Sequence, residues 1–401
     1  MKLISGYPFG LIKNGLPYQY PSLEADAKAD VVIMGGGISG ALTAYYLINA
    51  GVDCLLVDRR SIGLGSTCAS TSLLQYEIDV SLSELSGMIG EQNAVTAYKL
   101  CEAAIGKIAA IEKATGSIAF EEKNSLYYAA AKSDRKFLKE EYAIRKANGF
   151  EVAYLERKDI KANYGFDAPA AILSATAGQT DAYALTHAIL QYCIKKGMLV
   201  YDRTQLETIK HETGRVVMKT ARGNSIIAGK LVYANGYESV QYIDKKIVDL
   251  QHTYAIVSEQ LTESTPLWKD DLLIWNTADP YLYMRTTKDK RIIVGGRDEK
   301  FRNPVRRDKL IEKKSAELAR DFHKLFPGIP FEAEFKWTGT FGSTKDGLPF
   351  IGPYAKKPNS LFALGFGGNG ITFSLIAAEI IRDIITKNEQ PHRALFSFER
   401  V

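Results

Sequence analysis

Two rhythms of apolar and polar residues run along this chain, and the switches between them mark its elements. Val31–Met34 is an unbroken apolar run between Asp30 and a glycine turn, the pattern of a strand buried on both faces. Ala41–Asn49 then carries apolar residues at helical spacing, with Gly51 just past its end as a stop. Cys54–Val57 is a second buried strand, so strand, glycine turn, helix and strand open a parallel sheet. Residues 91–115, 134–147 and 184–196 predict helices, the last ended by Gly197. Thr204–Ile209, Val216–Thr220, Ser225–Ile227 and Leu231–Tyr233 alternate around Gly214 and Gly223 and predict an antiparallel ribbon. From 250 to 296 the pattern is strand-rich, with Tyr281–Arg285 and Arg291–Val294 as a hairpin. Residues 308–325 predict a charged amphipathic helix, and Phe362–Leu364 a last buried strand. A glycine turn at Gly365–Gly370 leads into a helix that runs to about Lys387. Residues 1–29 read as an irregular arm. The chain shows no internal repeat and weaves between two lobes.

Composition narrows the class. Of 401 residues, 46% are apolar, as in a soluble globular protein. No apolar run reaches the roughly 18 residues of a membrane span, and Met1–Tyr20 lacks the pattern of a secretory signal. A cytoplasmic protein without a transmembrane segment is the expectation. The 51 basic and 46 acidic residues leave a net charge of +5, read as a solvated surface and not as a nucleic-acid footprint. Cys54, Cys68, Cys101 and Cys193 have neither metal-site nor redox spacing, so no metal is expected.

The chemistry enters at Gly35-Gly36-Gly37-Ile38-Ser39-Gly40, where Gly35, Gly37 and Gly40 fit G-x-G-x-x-G between a strand and a helix. Gly35 allows the tight turn, Gly37 lets a pyrophosphate approach the backbone, and Gly40 lets the helix pack closely on the strand. The helix start at Ile38 and Ser39 offers N–H groups and partial positive charge to phosphate. Asp58, at the end of the second strand, suits a ribose hydroxyl. Arg59 follows it, and Arg60 is read as a surface residue. These features define a dinucleotide site and leave NAD and FAD both open.

Further segments resemble the D-amino-acid oxidase superfamily of FAD-dependent amine oxidoreductases, which includes glycine oxidase, sarcosine oxidase and γ-glutamylputrescine oxidase. They are Ser61–Thr67; Leu231-Val232-Tyr233-Ala234-Asn235-Gly236; Ile292–Asp298; Asp346-Gly347-Leu348-Pro349-Phe350-Ile351-Gly352-Pro353; and Gly365-Phe366-Gly367-Gly368-Asn369-Gly370-Ile371-Thr372. The resemblance implies an α/β fold: a Rossmann-like FAD-binding domain with a central parallel sheet, plus an α+β substrate domain with a large mixed antiparallel sheet. Residues 1–85, 153–240 and 336–401 would form the first, and 86–152 and 241–335 the second. It implies non-covalent FAD held by the fingerprint, Asp58, Arg59, Ser66, Thr67, the Leu206 backbone, Ala234, Asn235, Gly236, and Gly367 through Thr372. The closing glycines also make sense alone, because a flat ring can lie on their backbone while the following helix directs N–H groups at it.

Departures from the pattern bear on the substrate. The arginine that often holds a substrate carboxylate in this family aligns with Phe341, and the lysine of sarcosine oxidases aligns with Thr372. The cysteine that carries covalent flavin in sarcosine oxidases aligns with Gly339, and the histidine of the dimethylglycine dehydrogenase type aligns near Ala69. The expected reaction is oxidation of a C–N bond of a small amine or amino-acid derivative by hydride transfer to flavin N5, with oxygen or an electron carrier taking the electrons. Tyr283, His252, Tyr254 and Arg285 are the substrate-pocket candidates, beside Tyr281 and Tyr76. The competing readings are an NAD(P)-dependent dehydrogenase, a flavoprotein of RNA modification, and a non-catalytic flavin-binding protein.

Overall fold

The computed structural model describes residues 2–400. The apolar run of the first buried strand grows into Ala27–Met34, which lies parallel to Cys54–Val57 on one side and to Ser225–Tyr233 on the other. Leu199–Tyr201 extends the sheet beyond Cys54–Val57, and Ser360–Leu364 extends it beyond Ser225–Tyr233. Phe350–Pro353 closes that edge antiparallel. Both faces are covered at Val31–Met34, which explains why that half of the central strand is apolar and not alternating, while Ala27–Asp30 still alternates. Val31 and Ile33 pack with Ala41, Leu42 and Leu56 in one core, while Val32 and Met34 pack with Leu55, Tyr233 and Phe362 in another.

Helices Ile38–Asn49, Ala182–Lys195 and Gly370–Thr386 lie together on the first face. The 25-residue helix Glu91–Thr115 packs behind the last of these. The predicted ribbon is present as Leu206–Glu212 and Arg215–Thr220, attached to Ser225–Tyr233. Ser225–Ile227 and Leu231–Tyr233, read as two segments, form one continuous strand.

A second, ten-stranded sheet is mostly antiparallel. Its order is 4–6, 333–343, 249–258, 292–300, 283–286, 273–276, 121–128, 170–179 and 73–75, with 152–156 also paired to 170–179. One pair, 273–276 with 121–128, is parallel. Helix Ile311–Leu325 buries Leu318 and Phe322 against Tyr254, Ile256, Ile292 and Val294 of this sheet. The predicted helix at 308–325 is two helices, Pro304–Lys309 and Ile311–Leu325, the first capped by the Asn303 side chain on the N–H of Arg306. The N-terminal arm is not irregular throughout. Ile4–Gly6 pairs with Trp337–Gly339, and Phe9–Asn14 is a short helix. Its pairing partner lies more than 300 residues away, so local pattern carried no sign of it.

The fingerprint glycines differ in what they do here. Gly35 sits at φ +123°, a conformation an L side chain rarely adopts. Gly40 is helical, and a Cβ there would overlap the carbonyl oxygen of Gly35. Gly106, by contrast, lies in helix Glu91–Thr115 with open space around it. Gly40→Ala should therefore destabilise the protein by about 1–3 kcal/mol through overpacking, while Gly106→Ala should stabilise it by about 0.5–1 kcal/mol. Urea unfolding of the two variants measures both; equal effects would contradict the packing described.

Candidate active site

Between the two sheets lies an elongated cavity of about 420 Å³. One end is walled by Asp58, Arg59, Arg60, Leu206 and Glu238, the middle by Gly37, Ser39, Ser66 and Thr67, and the far end by Trp275, Tyr281, Tyr283, Asp298 and the 366–372 loop. Of the residues singled out for the cofactor, Gly35, Gly37, Ile38, Ser39, Asp58, Arg59, Ser66, Thr67, Leu206, Ala234, Asn235, Gly236, Gly367, Gly368, Asn369, Gly370, Ile371 and Thr372 all line it. Gly40 does not; it sits one layer back, against Gly35.

The two helices that begin at the cavity do so without a side-chain cap. Gly37, before Ile38–Asn49, and Asn369, before Gly370–Thr386, accept N–H groups of their helices only through their backbone carbonyls, whereas the side chains of Ser81 and Asp181 cap theirs. Thr67 Oγ1 accepts from the Ile38 N–H at 3.0 Å, fixing the loop that follows the second strand to the fingerprint turn. A Cβ at Gly37 would come within 2.7 Å of that same oxygen. Helix starts left open in this way favour anionic groups such as a pyrophosphate.

At the first end, Asp58 accepts from the N–H groups of Gly36 and Arg60, each at 2.7 Å. Burial nevertheless pushes its carboxyl up, with the two N–H groups opposing. Arg59 and Arg60 both pair with Glu238, whose carboxyl is held low chiefly by Arg60 against the cost of its burial. Arg60 is thus a wall residue tied to Glu238 and not simply a surface charge.

At the far end, the loop 367–369 is bound to the segment 75–79. Asp79 Oδ2 accepts the Gly368 N–H at 2.8 Å, and Asp79 Oδ1 accepts the Tyr281 hydroxyl at 3.3 Å. Asn369 Nδ2, unused as a cap, donates to the carbonyls of Gln75 and Glu77 at 3.2 and 2.7 Å. A Cβ at Gly368 would lie 2.6 Å from the Tyr281 hydroxyl and 2.7 Å from Asp79 Oδ1, so glycine there makes room for the carboxylate. Behind the segment, buried Arg145 binds Glu77 at 3.1 Å and Glu141 at 2.7 Å, and Glu141 accepts the N–H groups of Leu82 and Ser83.

The substrate-pocket candidates divide by strand register. Thr253 lines the cavity, so His252 and Tyr254 on either side of it point to the opposite face. There Tyr254 packs in the core under helix Ile311–Leu325, and the His252 ring meets Tyr254 and Phe301. Burial lowers the His252 pKa to about 4, and its two ring nitrogens have no hydrogen-bond partner among the described residues. Tyr283 lines the cavity, with its phenol raised to about 12 by burial. Arg285 does not line it: Nε donates to the Thr71 carbonyl at 2.6 Å and Nη1 to that of Thr286 at 3.0 Å, beneath the loop that forms the wall. Burial lowers its pKa to about 10. Tyr281 is on the wall, while Tyr76 is buried behind it, stacked on Phe150.

Sequence reasoning missed Asp79 and Trp275 and gave no role to Asp298. Asp79 stands in no motif, and only its isolation within Ile78-Asp79-Val80 hints that its charge has a partner elsewhere in the chain. Trp275 and Tyr281 stand edge to face at 6.0 Å, and Tyr281 and Tyr283 are tilted at 5.8 Å. Asp298 Oδ1 is buried without a hydrogen-bond partner among the described residues. Desolvation raises the Asp298 carboxyl to about 7, helped by the charges of Asp79 and Asp279 and opposed by Thr253 and Lys314.

Comparison with known proteins assigns the class. The DAO family, described as FAD dependent oxidoreductase, matches residues 30–384, and this chain belongs to it. It is 25% identical over 370 residues to glycine oxidase of Bacillus licheniformis, spanning 90% of this chain and 94% of that protein. It is 23% identical over 393 residues to γ-glutamylputrescine oxidoreductase of Escherichia coli (strain K12), spanning 91% and 85%. Its fold matches the crystal structure of glycine oxidase from Geobacillus kaustophilus with a TM-score of 0.79 at 19% identity, over 94% of this chain and 99% of that one. The fold class expected from sequence is the one found. FAD is therefore the dinucleotide, in place of NAD(P).

The raised carboxyl of Asp298 has a thermodynamic consequence. A folded-state value of about 7 against an ordinary 3.8 means that the folded protein holds the proton more tightly. The associated stability is full below the ordinary range and is lost as pH rises towards 7. Melting temperatures should thus shift in favour of D298N, relative to wild type, between about pH 5 and about pH 8. A difference that does not change with pH would show that Asp298 titrates normally.

Proposed function

We propose that this chain oxidises the C–N bond of a small amine that carries no carboxylate beside the reacting carbon. One observation carries the reading: among the described residues, the substrate end of the cavity presents carboxylates, hydroxyls and aromatic rings but no lysine, arginine or histidine. Phe341 and Thr372, where the family resemblance would put cations, stand on the wall, and Arg285 turns Nε and Nη1 to the carbonyls of Thr71 and Thr286. A charged hydrogen bond contributes about 1.5–3 kcal/mol, so a carboxylated substrate would forgo roughly 10- to 100-fold in affinity per missing contact. The same wall favours a cation, because Asp79 and Asp298 lie on it.

FAD, when bound, supplies a hydride acceptor at its ring. The fingerprint turn and Asp58 would hold the nucleotide half, and the 366–372 loop the ring. We assign the smaller sheet and its helices to the cofactor and the large sheet to the substrate; strands 4–6, 73–75, 170–179 and most of 333–343, from segments expected in the first domain, belong to the large sheet. The chain's own work is to orient the amine and keep water out. Trp275, Tyr281 and Tyr283 form an aromatic wall that does both. Phenols raised by burial, as Tyr283 is to about 12, stay protonated and donate hydrogen bonds at neutral pH.

The attachment of FAD is read as non-covalent. No cysteine or histidine is among the described residues on the wall, and Cys68 is buried with its thiol donating to the Gly65 carbonyl at 3.4 Å. Acid precipitation should release all of the yellow colour into the supernatant; colour left on the pellet would refute this. In the absence of oxygen, alkyl amines should bleach the bound flavin faster than glycine, sarcosine or D-alanine. The reverse order would overturn the substrate reading, and no bleaching by either group would favour a flavin-binding protein without turnover.

A further inference from the structure

The two carboxylates at the substrate end are not equivalent. Both Asp79 oxygens are engaged, one by the Gly368 N–H and the other by the Tyr281 hydroxyl. Asp298 stands on the same wall with Oδ1 buried and unpartnered. A buried carboxylate short of donors is costly unless something supplies charge or hydrogen bonds to it. The protein supplies little: Thr253 alone is felt as a donor, Lys314 acts only at a distance, and Asp79 and Asp279 add like charge. Tyr281 and Tyr283 line the same wall, near enough to feel the Asp298 charge, and aromatic faces favour cations.

The nitrogen that is oxidised must be neutral when its neighbouring C–H gives up hydride. A carboxylate in contact with that nitrogen would favour its protonated form and oppose the reaction. An under-supplied carboxylate on the wall therefore suits a different positive group of the same molecule. We infer that the substrate carries a second cationic group, as a diaminoalkane does, and that Asp298, with the rings of Tyr281 and Tyr283, receives it as the residue that determines specificity. The inference rests on the amine reading given above and names the substrate class within it.

The test uses the FAD-loaded protein and compares wild type with D298N. Diaminobutane and butylamine serve as substrates, and butyltrimethylammonium, which cannot be oxidised at a neutral nitrogen, as a binding probe. In wild type, diaminobutane should reduce the flavin with an apparent affinity at least roughly tenfold better than butylamine. In D298N that advantage should disappear. Butyltrimethylammonium should perturb the visible spectrum of the bound flavin in wild type and bind at least roughly tenfold more weakly to D298N.

Should D298N fail to hold FAD, wild type alone still decides. Affinity for the probe should fall as pH drops from about 8 to about 6, as Asp298 takes up its proton beside Asp79, Tyr281 and Tyr283. Probe affinity that does not vary with pH would overturn the inference. So would equal loss for both substrates in D298N with a shifted pH profile of the limiting rate, because Asp298 would then act on the reacting nitrogen. If no amine reduces the flavin but amino acids do, the amine reading itself has failed. If amines reduce it equally well in both proteins, only the assignment of Asp298 has failed.

Discussion

Everything at the substrate end depends on how the 367–369 loop is held. A turn this rich in glycine has no side chains of its own with which to fix its shape. It is fixed instead by the segment at 75–79, through Asp79 on the Gly368 N–H and Asn369 on the carbonyls of Gln75 and Glu77. That segment is in turn anchored by Arg145, which is buried between Glu77 and Glu141. Removing one partner of such a buried pair is far more damaging than the net worth of the pair suggests. The 367–369 loop is therefore positioned from helix Arg135–Ala147.

The same contact sets the polarity of the pocket. Glycine at 367 and 368 leaves a space that the Asp79 carboxylate fills, and a Cβ at Gly368 would meet both that carboxylate and Tyr281. Where a side chain at this position could carry positive charge toward a substrate, this chain places negative charge. Phe341 and Thr372 on neighbouring walls add no positive charge. The starts of helices Ile38–Asn49 and Gly370–Thr386, which lack a side-chain cap from their own N-cap residue, bring the opposite polarity to the cavity, one that suits anionic groups.

Sequence reading succeeded where local chemistry is self-contained. The strand–turn–helix at 31–49, the closing glycines and the long helices follow from periodicity and glycine placement, and the family resemblance ordered them into a fold. It failed where a partner is distant. Ile4–Gly6 becomes a strand only because Trp337–Gly339 offers an edge. Asp79 has meaning only beside Gly368. His252 and Tyr254 were placed near the ring by segment, but the two-residue period of the strand turns them toward helix Ile311–Leu325 and leaves Thr253 on the cavity. Tyr283 escapes that fate because its strand pairs Tyr283 with Gly295, where a side chain would collide with its ring.

The central claim, that charge on the wall rejects α-carboxylates, is tested most directly by one ratio. It is the rate of anaerobic flavin reduction by an alkyl amine divided by the rate for its α-carboxylated counterpart, measured in wild type and in F341R. The account predicts a ratio well above one in wild type and a fall of about 10- to 100-fold when Phe341 is replaced by a cation. A wild-type ratio below one, or a ratio that F341R leaves unchanged, would contradict it.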